Sequence, residues 1–543
     1  MRVLSIFGGG HDSSATFVVD GKVERYLKEE RYTGVKHASG YGGILKTLID
    51  ANLLRDVDYI MLITTLEESE QNKLRNILRS FSPQVKFFAP VNEHHLFHAS
   101  NAFYDSGFEE SLVVVIDAAG AFFSRKHQKT LECESVYHAR YPYFFKKLYK
   151  GYWSDGDFKS REIKKTSSGC LYQIRDVSSG WGNIGNIYNT AALAMGQTLQ
   201  DCGKAMGLSS YGRPIPGMDL KGFDTLNSIE EYFKDNDQFL HILNNNKRDR
   251  YYLDITKDNY QKYADYCYEV QKQCMEMTID IVRTHVEATG IKRVCLSGGY
   301  AMNIVTNYQL TQEFPDVEFF FEPLCNDGGI SIGAAMYMYR TLTKDFTIHP
   351  METTSYHGVS QDVSAYKGVT ADTKHVVDLL CQNKSVAVFY GQAEAGERAL
   401  GNRSILFNAL NPDAREIVNR IKKREWYRPF AAMVLEEDAH LYFENACPSR
   451  FMTVSFPVKS DIIPGVTHVD GTCRVQTVAS GHMYDILKEY KKVTGHGILL
   501  NTSFNLAGQP LVDTADEALK TLNESTLDYL WFYETKQLFK STF

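Results

Sequence analysis

The sequence predicts an α/β protein of two units, the first of which is a duplicated strand-and-helix fold. Three observations lead to this prediction. The 543 residues are too many for a single hydrophobic core. The order strand, glycine-containing turn, strand, strand occurs near residue 3 and again near residue 112. Residues 344–356 lack apolar periodicity and contain a proline, which indicates a linker between the units.

The two copies of the repeat are read from short apolar runs. In the first copy, residues 3–7, 15–19 and 23–27 predict strands, and a glycine-rich turn separates the first two. In the second copy, residues 112–116 and 133–139 predict strands around an acidic turn at 117–120. Duplicated α/β folds place a cleft between their halves, so we predict a nucleotide-sized cleft there.

The remaining segments complete the predicted organisation. Residues 228–290 carry a helical apolar rhythm and predict a helical insertion within the first unit. In the second unit, apolar runs at 386–390 and 497–500 predict core strands. We therefore predict a first unit over residues 1–343, a linker over 344–356 and a second unit over 357–543.

The composition excludes several classes of protein. The net charge of −7 argues against a whole-surface binder of nucleic acid or of anionic membranes, although a local basic site remains compatible with it. No apolar stretch resembles a signal peptide or a membrane span. Ten scattered cysteines without a CxxC pair indicate reduced thiols. We predict a soluble, cytoplasmic protein.

Four side chains form a candidate metal site. His94 and His98 are four residues apart, which places both imidazoles on one face of a helix. Asp117 ends the apolar run 112–116, and Asp327 stands between a predicted strand and an alanine-rich helix. Each of these residues taken alone is compatible with an ordinary surface or core position. Together they are two imidazoles and two strand-end carboxylates, a set that suits one divalent metal ion.

Glycine turns indicate where a nucleotide could bind in the first unit. Gly298 and Gly299 precede a predicted helix that contains Asn303, and Gly328 follows Asp327. Backbone amides at such helix starts suit phosphates, but each glycine pair alone is a weak signal, because a purely structural turn is the more frequent explanation. Lys204 stands between glycines in a third patch, where a surface lysine is the alternative.

Positive charge is concentrated in the second unit. Residues 415–428 contain six basic and two acidic side chains. The alternative is a solvated basic helix face, but Tyr427, Pro429 and Phe430 surround Arg428 and favour a pocket wall. Arginine and lysine clusters bind triphosphates and other polyanions. Further residues join this candidate site: Arg398, Arg403 and Arg474 as cations, and Asn501 and Ser503 as neutral donors at a strand end.

Taken together, the motifs resemble the NodU/CmcH carbamoyltransferase family, which includes nodulation-factor, cephamycin and tobramycin O-carbamoyltransferases. They follow the family order along nearly the whole chain. The matching strings are GGGHDSSATFVVDGKV, EERYTGVKH, HHLFHAS, IDAAG, GKAMGLSSYG, LSGGYAMNIVTN, CNDGGISIGAA, ERALGNRSIL, KKREWYRPFA, DGTCRVQTV and LLNTSFNLAGQPLV.

The resemblance implies a fold and an activity. The first unit would be a Kae-like domain of the duplicated ribonuclease-H-like type found in actin and sugar kinases, and the second a YrdC-like α/β domain. The second domain would form carbamoyl adenylate from carbamoyl phosphate and ATP. The first would transfer the carbamoyl group to a hydroxyl of a small-molecule, sugar or nucleoside or nucleotide acceptor.

The resemblance also implies roles for individual residues. His94, His98, Asp117 and Asp327 would hold the metal ion, which is expected to be iron(II). His11 would lie near the transferred group and accept the acceptor's proton, because an unperturbed imidazole has a pKa near neutrality. Residues expected to contact anionic groups are Lys36 and His37 in the first unit, and Arg398, Lys423, Arg428, Arg474, Asn501 and Ser503 in the second.

Two positions depart from the family pattern. Glu397 stands where the family usually has a proline, which puts a carboxylate beside the expected phosphate ligand Arg398. The aspartate turn reads Asp117-Ala118-Ala119-Gly120, where the family usually has DGxG. The metal-binding carboxylate itself is retained.

Two other functions are compatible with parts of the sequence. A threonylcarbamoyl-type enzyme that modifies tRNA would use related domains, but the acidic chain shows no basic surface of tRNA size. A nucleotide-responsive binding module would need the cleft but not the cationic cluster. The sequence fixes neither the acceptor nor the oligomeric state, with which a homodimer is compatible, and we expect no membrane partner.

Overall fold

The computed structural model describes most of the chain. It covers residues 1–8, 10–64, 68–90, 93–125, 128–154, 163–166, 169–176, 183–221, 225–244, 253–349 and 354–542. Three parts of the predicted segments lie outside the described residues: Gly9 of the first glycine turn, residues 245–252 of the helical insertion, and residues 350–353 of the linker.

The first sheet is formed by the N-terminal residues. Its strand order is β3-β2-β1-β4-β5, in which β1, β2 and β3 are antiparallel neighbours while β4 and β5 run parallel to β1. The elements are β1 (Arg2–Gly8), β2 (Ser14–Val19), β3 (Lys22–Lys28), α1 (Glu29–Thr33), α2 (Gly42–Asp50), β4 (Tyr59–Thr64), α3 (Glu68–Phe81) and β5 (Lys86–Phe88).

The second sheet repeats this topology. Its central strands have the order β9-β8-β6-β12-β13, with β6, β8 and β9 antiparallel and β12 and β13 parallel to β6. The strands are β6 (Glu110–Ile116), β7 (Phe122–Arg125), β8 (Gln128–Arg140), β9 (Phe144–Ser154), β10 (Ile163–Lys165), β11 (Leu171–Asp176), β12 (Arg293–Ser297) and β13 (Glu318–Phe321). The predicted duplication is thereby confirmed in strand order and direction.

Helices enclose the second sheet on both faces. On one side, α4 and α11 pack together between the two sheets, so one apolar cluster contains residues of both. On the other side, the long helix α9 packs on α5 and α6. The helices are α4 (His94–Ser106), α5 (Ile184–Ala194), α6 (Cys202–Ser209), α7 (Thr225–Tyr232), α8 (Asp237–Asn244), α9 (Gln261–Thr289), α10 (Ile304–Glu313) and α11 (Ile330–Thr343).

A third, mixed sheet is built from the C-terminal residues, in the order β14-β22-β21-β15-β16-β20-β17-β19-β18. The strands are β14 (Val369–Thr370), β15 (Val386–Phe389), β16 (Arg403–Phe407), β17 (Ala431–Leu435), β18 (Ser455–Pro457), β19 (Thr472–Val478), β20 (Ile498–Ser503), β21 (Tyr529–Phe532) and β22 (Gln537–Lys540). The helices are α12 (Thr373–Cys381), α13 (Ala414–Ile421), α14 (Ala439–Tyr442), α15 (His482–Thr494) and α16 (Ala515–Asn523). The predicted α/β class is confirmed.

The C-terminal sheet and its helices dock directly on the N-terminal part of the chain. Trp426 Nε1 donates to the carbonyl of Ile255 at 3.0 Å, and Asn307 Nδ2 donates to the carbonyl of Thr453 at 2.8 Å. A single apolar cluster contains residues of both parts. All ten cysteines are free thiols, and within the described residues no helix is long and apolar enough to cross a bilayer.

Candidate functional site

The second sheet and helix α4 bring the four candidate ligands to one place. Helix α4 begins at His94, so His98 lies one turn further on the same face. The strands β6, β12 and β13 are parallel and therefore end at the same edge of the sheet. Asp117 follows β6 directly, and Asp327 opens a short 3₁₀ turn after β13.

The distances between these side chains are short. His94 Nε2 lies 3.4 Å from Asp117 Oδ2 and 3.4 Å from Asp327 Oδ1. His98 Nε2 lies 3.7 Å and 3.4 Å from the same two oxygens. Each residue offers one donor atom, and the four donors lie within 4.8 Å of one another. The structure thus brings together all four residues that the sequence singled out.

The donor set and its electrostatics fit a divalent cation. Two imidazole nitrogens and two carboxylate oxygens suit a transition-metal ion. Burial alone would lower the pKa of His94, but Asp327 and Asp117 outweigh it and raise that pKa to about 10. Burial would likewise raise the pKa of Asp327, yet the two imidazoles hold it well below its usual range. The carboxylates therefore create a field that attracts positive charge.

His11 and Lys36 lie at the edge of this group. His11 Nδ1 is 2.9 Å from Asp12 Oδ2, and His11 Nε2 is 3.9 Å from Asp327 Oδ2. The contact with Asp12 raises the pKa of His11 to about 9 against the effect of burial, so the expectation of a pKa near neutrality is not met in this environment. Lys36 is exposed and lines both of the cavities described next.

A cavity of about 310 Å³, the metal-side cavity, opens beside the four ligands. Gly299, Asn303 and Lys204 line it, as the sequence predicted for a nucleotide site. The Asn303 side chain caps α10 by accepting from the Thr306 amide at 3.1 Å. Lys204 is already paired, since its Nζ lies 2.9 Å from Glu425 Oε1 and 3.1 Å from Asp201 Oδ1.

Gly298 and Gly328 do not line either cavity, which corrects their predicted role in ligand binding. Gly298 has a φ of +85°, and a Cβ there would lie 2.3 Å from the carbonyl oxygen of Ile116. The carbonyl of Gly328 accepts from Ser14 Oγ at 2.9 Å and from the Tyr26 hydroxyl at 3.1 Å. Gly298 therefore serves close backbone packing, while the Gly328 carbonyl joins this turn to β2 and β3.

A second cavity of about 200 Å³, the cationic cavity, lies between the C-terminal sheet and the first unit. Among its lining residues, cations outnumber carboxylates. The cations are Arg31, Lys36, Arg398, Lys422, Arg424, Arg428 and Arg474, and the carboxylates are Glu30, Glu397 and Asp470. Residues that line both cavities are Lys36, Gly203, Met206, Glu397, Arg398 and Arg428, so the two spaces adjoin.

Lys422, and not Lys423, belongs to the cationic cavity, which corrects the prediction. Lys423 is exposed and donates to the carbonyl of Glu524 at 3.1 Å. Lys423 has a φ of +53° directly after the end of α13, and it does not line the cavity, although Arg424 after it does. Lys422 is buried and donates to Asn505 Oδ1 at 2.8 Å, to Asn505 O at 3.0 Å and to Ser503 O.

Helical spacing was the signal that could have identified Lys422. The residues of α13 that face the core are Ala414, Val418 and Ile421, and Lys422 continues this i, i+4, i+7, i+8 pattern. Burial, together with Arg424 and Arg428, lowers the pKa of Lys422 well below its usual value. The ammonium of Lys422 is therefore surrounded by other cations and would be stabilised by an anionic ligand.

Arg403, which the sequence also assigned to this site, does not line the cationic cavity, because its buried guanidinium donates to the carbonyls of Tyr390 at 2.7 Å and Gly391 at 3.1 Å. The remaining predicted ligands do face the cavity. Arg398, Arg428, Arg474, Asn501 and Ser503 all line it. Asn501 Nδ2 donates to Ala399 O at 3.1 Å and to Gln476 Oε1 at 2.9 Å, while its Oδ1 is buried without a partner. Burial and the neighbouring arginines Arg398 and Arg428 hold the pKa of Arg474 well below its usual value.

A second cluster near the site was not predicted. Asp12, Glu30, His37 and Glu397 also place donor atoms within 4.8 Å of one another. The ammonium of Lys28 stands among them, 3.0 Å from Asp12 Oδ1 and 2.9 Å from Glu397 Oε1. This cluster is therefore already supplied with a cation by the protein itself.

Two family models match the chain. The family described as "Carbamoyltransferase N-terminus" matches residues 51–336, which is more than half of the chain, and "Carbamoyltransferase C-terminus" matches residues 377–537.

One individual protein is similar over most of the length of this chain, and another over just under half of it. Nodulation protein NolNO of Sinorhizobium fredii is 28% identical over 582 residues, which cover 96% of this chain and 78% of that protein. Nodulation protein U of Rhizobium tropici is 33% identical over 252 residues, which cover 45% of this chain and 43% of that protein.

Among solved structures, full-length HypF in its phosphate- and nucleotide-bound form aligns with a TM-score of 0.38 at 13% identity. The alignment covers 63% of this chain and 56% of that chain. A hexokinase of the ROK family from Thermus thermophilus aligns with a TM-score of 0.29 at 13% identity, over 62% of this chain and 98% of that chain.

Proposed function

This chain belongs to the carbamoyltransferase family, and we propose that it is an ATP-dependent O-carbamoyltransferase that works through carbamoyl adenylate. In the first step, water releases phosphate from carbamoyl phosphate, and an oxygen of the resulting carbamate attacks the α-phosphorus of ATP. Pyrophosphate leaves and carbamoyl adenylate forms. In the second step, an acceptor hydroxyl attacks the carbamoyl carbon, AMP leaves, and the hydroxyl proton passes to a base.

The observation that carries this proposal is the cationic cavity. Within the described residues, Arg398, Lys422, Arg424 and Arg474 have no carboxylate partner within ion-pair distance, although all four line the cavity. Lys422 is buried and the three arginines are partly buried, and cations withdrawn from water without a counter-charge are costly. A ligand with several negative charges would relieve that cost. ATP and carbamoyl phosphate together supply such charge, and arginine forks suit phosphate oxygens.

We assign the two steps to the two units. The second unit, residues 357–543, would form the adenylate in the cationic cavity. The first unit, residues 1–343, would carry out the transfer in the metal-side cavity. The walls shared by the two cavities, which include Arg398 and Arg428, support this assignment because the adenylate is itself an anion.

His94, His98, Asp117 and Asp327 would hold the metal ion, for which we propose iron(II). When bound, the ion would supply Lewis-acid polarisation of the carbamoyl oxygen or the phosphate. His11 would stand beside the acceptor hydroxyl, because it lines the metal-side cavity next to Asp327. Lys36 reaches both cavities and would contact the adenylate phosphate.

The test follows pyrophosphate and acceptor together. With ATP and carbamoyl phosphate, the purified protein should release pyrophosphate, and omission of carbamoyl phosphate should stop the release. A set of hydroxylated compounds that includes sugars, aminoglycosides and hydroxymethylated nucleosides and nucleotides should contain one that gains the mass of a carbamoyl group. Pyrophosphate release that does not need carbamoyl phosphate, or incorporation of threonine into tRNA when threonine and bicarbonate are supplied, would refute the proposal.

A further inference from the structure

Lys28 is a buried cation that joins the two parts of the chain. It is the last residue of β3, and its side chain is 2% exposed. Its Nζ lies 3.0 Å from Asp12 Oδ1 and 3.3 Å from Glu30 Oε1 in the N-terminal sheet region. The same atom lies 2.9 Å from Oε1 of Glu397, which belongs to the C-terminal unit.

Two of the three carboxylates that Lys28 contacts are next to residues of the proposed reaction. Asp12 contacts His11, and it also contacts His37 at 3.0 Å. Glu397 directly precedes Arg398, which lines both cavities. A continuous set of short contacts therefore runs from Asp327 of the metal group through His11, Asp12 and Lys28 to Glu397.

Lys28 is the cation that all three carboxylates of this junction share, while Arg31 also contacts Glu30, and His11 and His37 contact Asp12. Burial alone would lower the pKa of Lys28, but Glu397, Asp12 and Glu30 outweigh it and hold that pKa well above its usual value. Without the ammonium, Asp12, Glu30 and Glu397 would remain within 4.8 Å of one another as buried like charges. Such charges repel strongly in a protein interior. The carboxylates would then move apart, and the neighbouring residues His11 and Arg398 would be displaced from their positions.

Docking of the two units does not depend on Lys28 alone. Arg31, three residues along the chain, donates to the carbonyls of Leu511 at 2.6 Å, Glu394 at 3.2 Å and Gly396 at 3.3 Å. The units should therefore stay associated when Lys28 is changed, while the alignment of the groups between the cavities is lost.

We propose that Lys28 is a positioning residue of the transfer step, which holds Asp12 and Glu397 on one ammonium and so fixes His11 relative to Arg398. The inference rests on the proposed function. It also accounts for the acidic residue at position 397, because that carboxylate is the C-terminal partner of Lys28 and not a competitor for phosphate.

The experiment measures carbamoylated acceptor formed per pyrophosphate released. This ratio does not depend on the fraction of folded enzyme, so a purely structural defect would leave it unchanged. Full-length wild type, Glu397→Gln, Glu397→Lys, Lys28→Glu and the exchange Lys28→Glu with Glu397→Lys are compared. Lys22→Met, an exposed lysine at the start of the same strand, is the matched control.

We expect Lys28→Glu and Glu397→Lys each to lower the ratio by about tenfold or more, and the double exchange to recover a substantial part of that loss, since the two residues are in contact. Glu397→Gln should give a smaller loss, and Lys22→Met none.

If Lys28→Glu does not fold, the product ratios of the two Glu397 variants alone test the inference. A wild-type ratio in Glu397→Lys, or an exchange variant no better than the two single variants, would overturn the inference. Failure of the proposed function is distinguishable, because wild type would then release no pyrophosphate that depends on carbamoyl phosphate.

Discussion

The two adjoining cavities have opposite imbalances of charge. On the metal-side cavity, Asp117 and Asp327 raise the pKa of His94 to about 10, so the site attracts a cation. On the cationic cavity, burial and neighbouring cations lower the pKa values of Lys422, Arg424 and Arg474, so the site attracts an anion. The difference favours ligands of opposite charge in the two cavities. Under the proposed function the first takes a metal ion and the second a polyphosphate, and each can be tested without the other.

Loss of a ligand on the metal-side cavity should have the largest effect. His98→Ala removes one of four donors, and we expect the content of bound metal and the rate of transfer each to fall by more than about a hundredfold, because even changes behind the ligands cost that much. Pyrophosphate release should be retained. Metal analysis after gentle anaerobic purification and the two product assays provide the measurement.

The control for this prediction is His138→Gln. His138 is an imidazole of the same unit that pairs with Glu110 at 2.5 Å, away from the metal group. Metal content that is the same in His98→Ala and in wild type would contradict the assignment of the four ligands.

The next largest expected effect is a difference in the rate of pyrophosphate release between variants of the adjacent residues Lys422 and Lys423. Lys422→Met should lower pyrophosphate release by about a hundredfold, which is typical of the loss of one charged group that stabilises a reacting anion. Lys423→Met should stay within about twofold of wild type, because exposed charges contribute little. Initial rates at saturating ATP and carbamoyl phosphate distinguish the two variants. The reverse ranking would restore the prediction made from sequence and refute the orientation of α13.

The smallest expected effect is a difference in folding stability between alanine variants of two glycines. Gly298→Ala places a Cβ 2.3 Å from the Ile116 carbonyl at a φ of +85°, so we expect a loss of about 2 kcal/mol in the free energy of unfolding of the first unit. Gly203→Ala in α6 meets nothing within 4 Å and should change it by no more than about 0.5 kcal/mol. Thermal unfolding without ligands measures both. Equal melting temperatures for the two variants would contradict the packing role of Gly298.

Much of the fold and of the metal-side cavity could be predicted because the relevant patterns are local. The apolar runs of β1, β2 and β6 are nearly continuous, and the charged strand β3 follows the Asp20-Gly21 turn, so the order of strands along the chain and the duplication could be predicted. The spacing of His94 and His98, and the positions of Asp117 and Asp327 after strands, follow from helix and sheet geometry.

The rest depended on information that no short segment contains. The choice between Lys422 and Lys423 required the register of α13 relative to the core. Lys28 and Glu397 are 369 positions apart, and no local sequence pattern around either residue indicates that they form a pair. Glycine turns were ambiguous because the same residue serves phosphate binding and close packing, and at Gly298 the structure shows close backbone packing.

The hydrogen bonds from Arg31 to three carbonyl oxygens have a consequence for which positions can vary among homologous chains. Every amino acid presents the same carbonyl, so position 511 can change identity while the guanidinium keeps that acceptor. Position 394 has less freedom, because the Glu394 carboxylate also accepts from the amides of Leu400 and Asn402. The bond from Lys28 to Glu397 likewise needs one particular side chain. Homologous chains are therefore expected to vary at position 511 without loss of the docked arrangement, and to change residues 28 and 397 in concert.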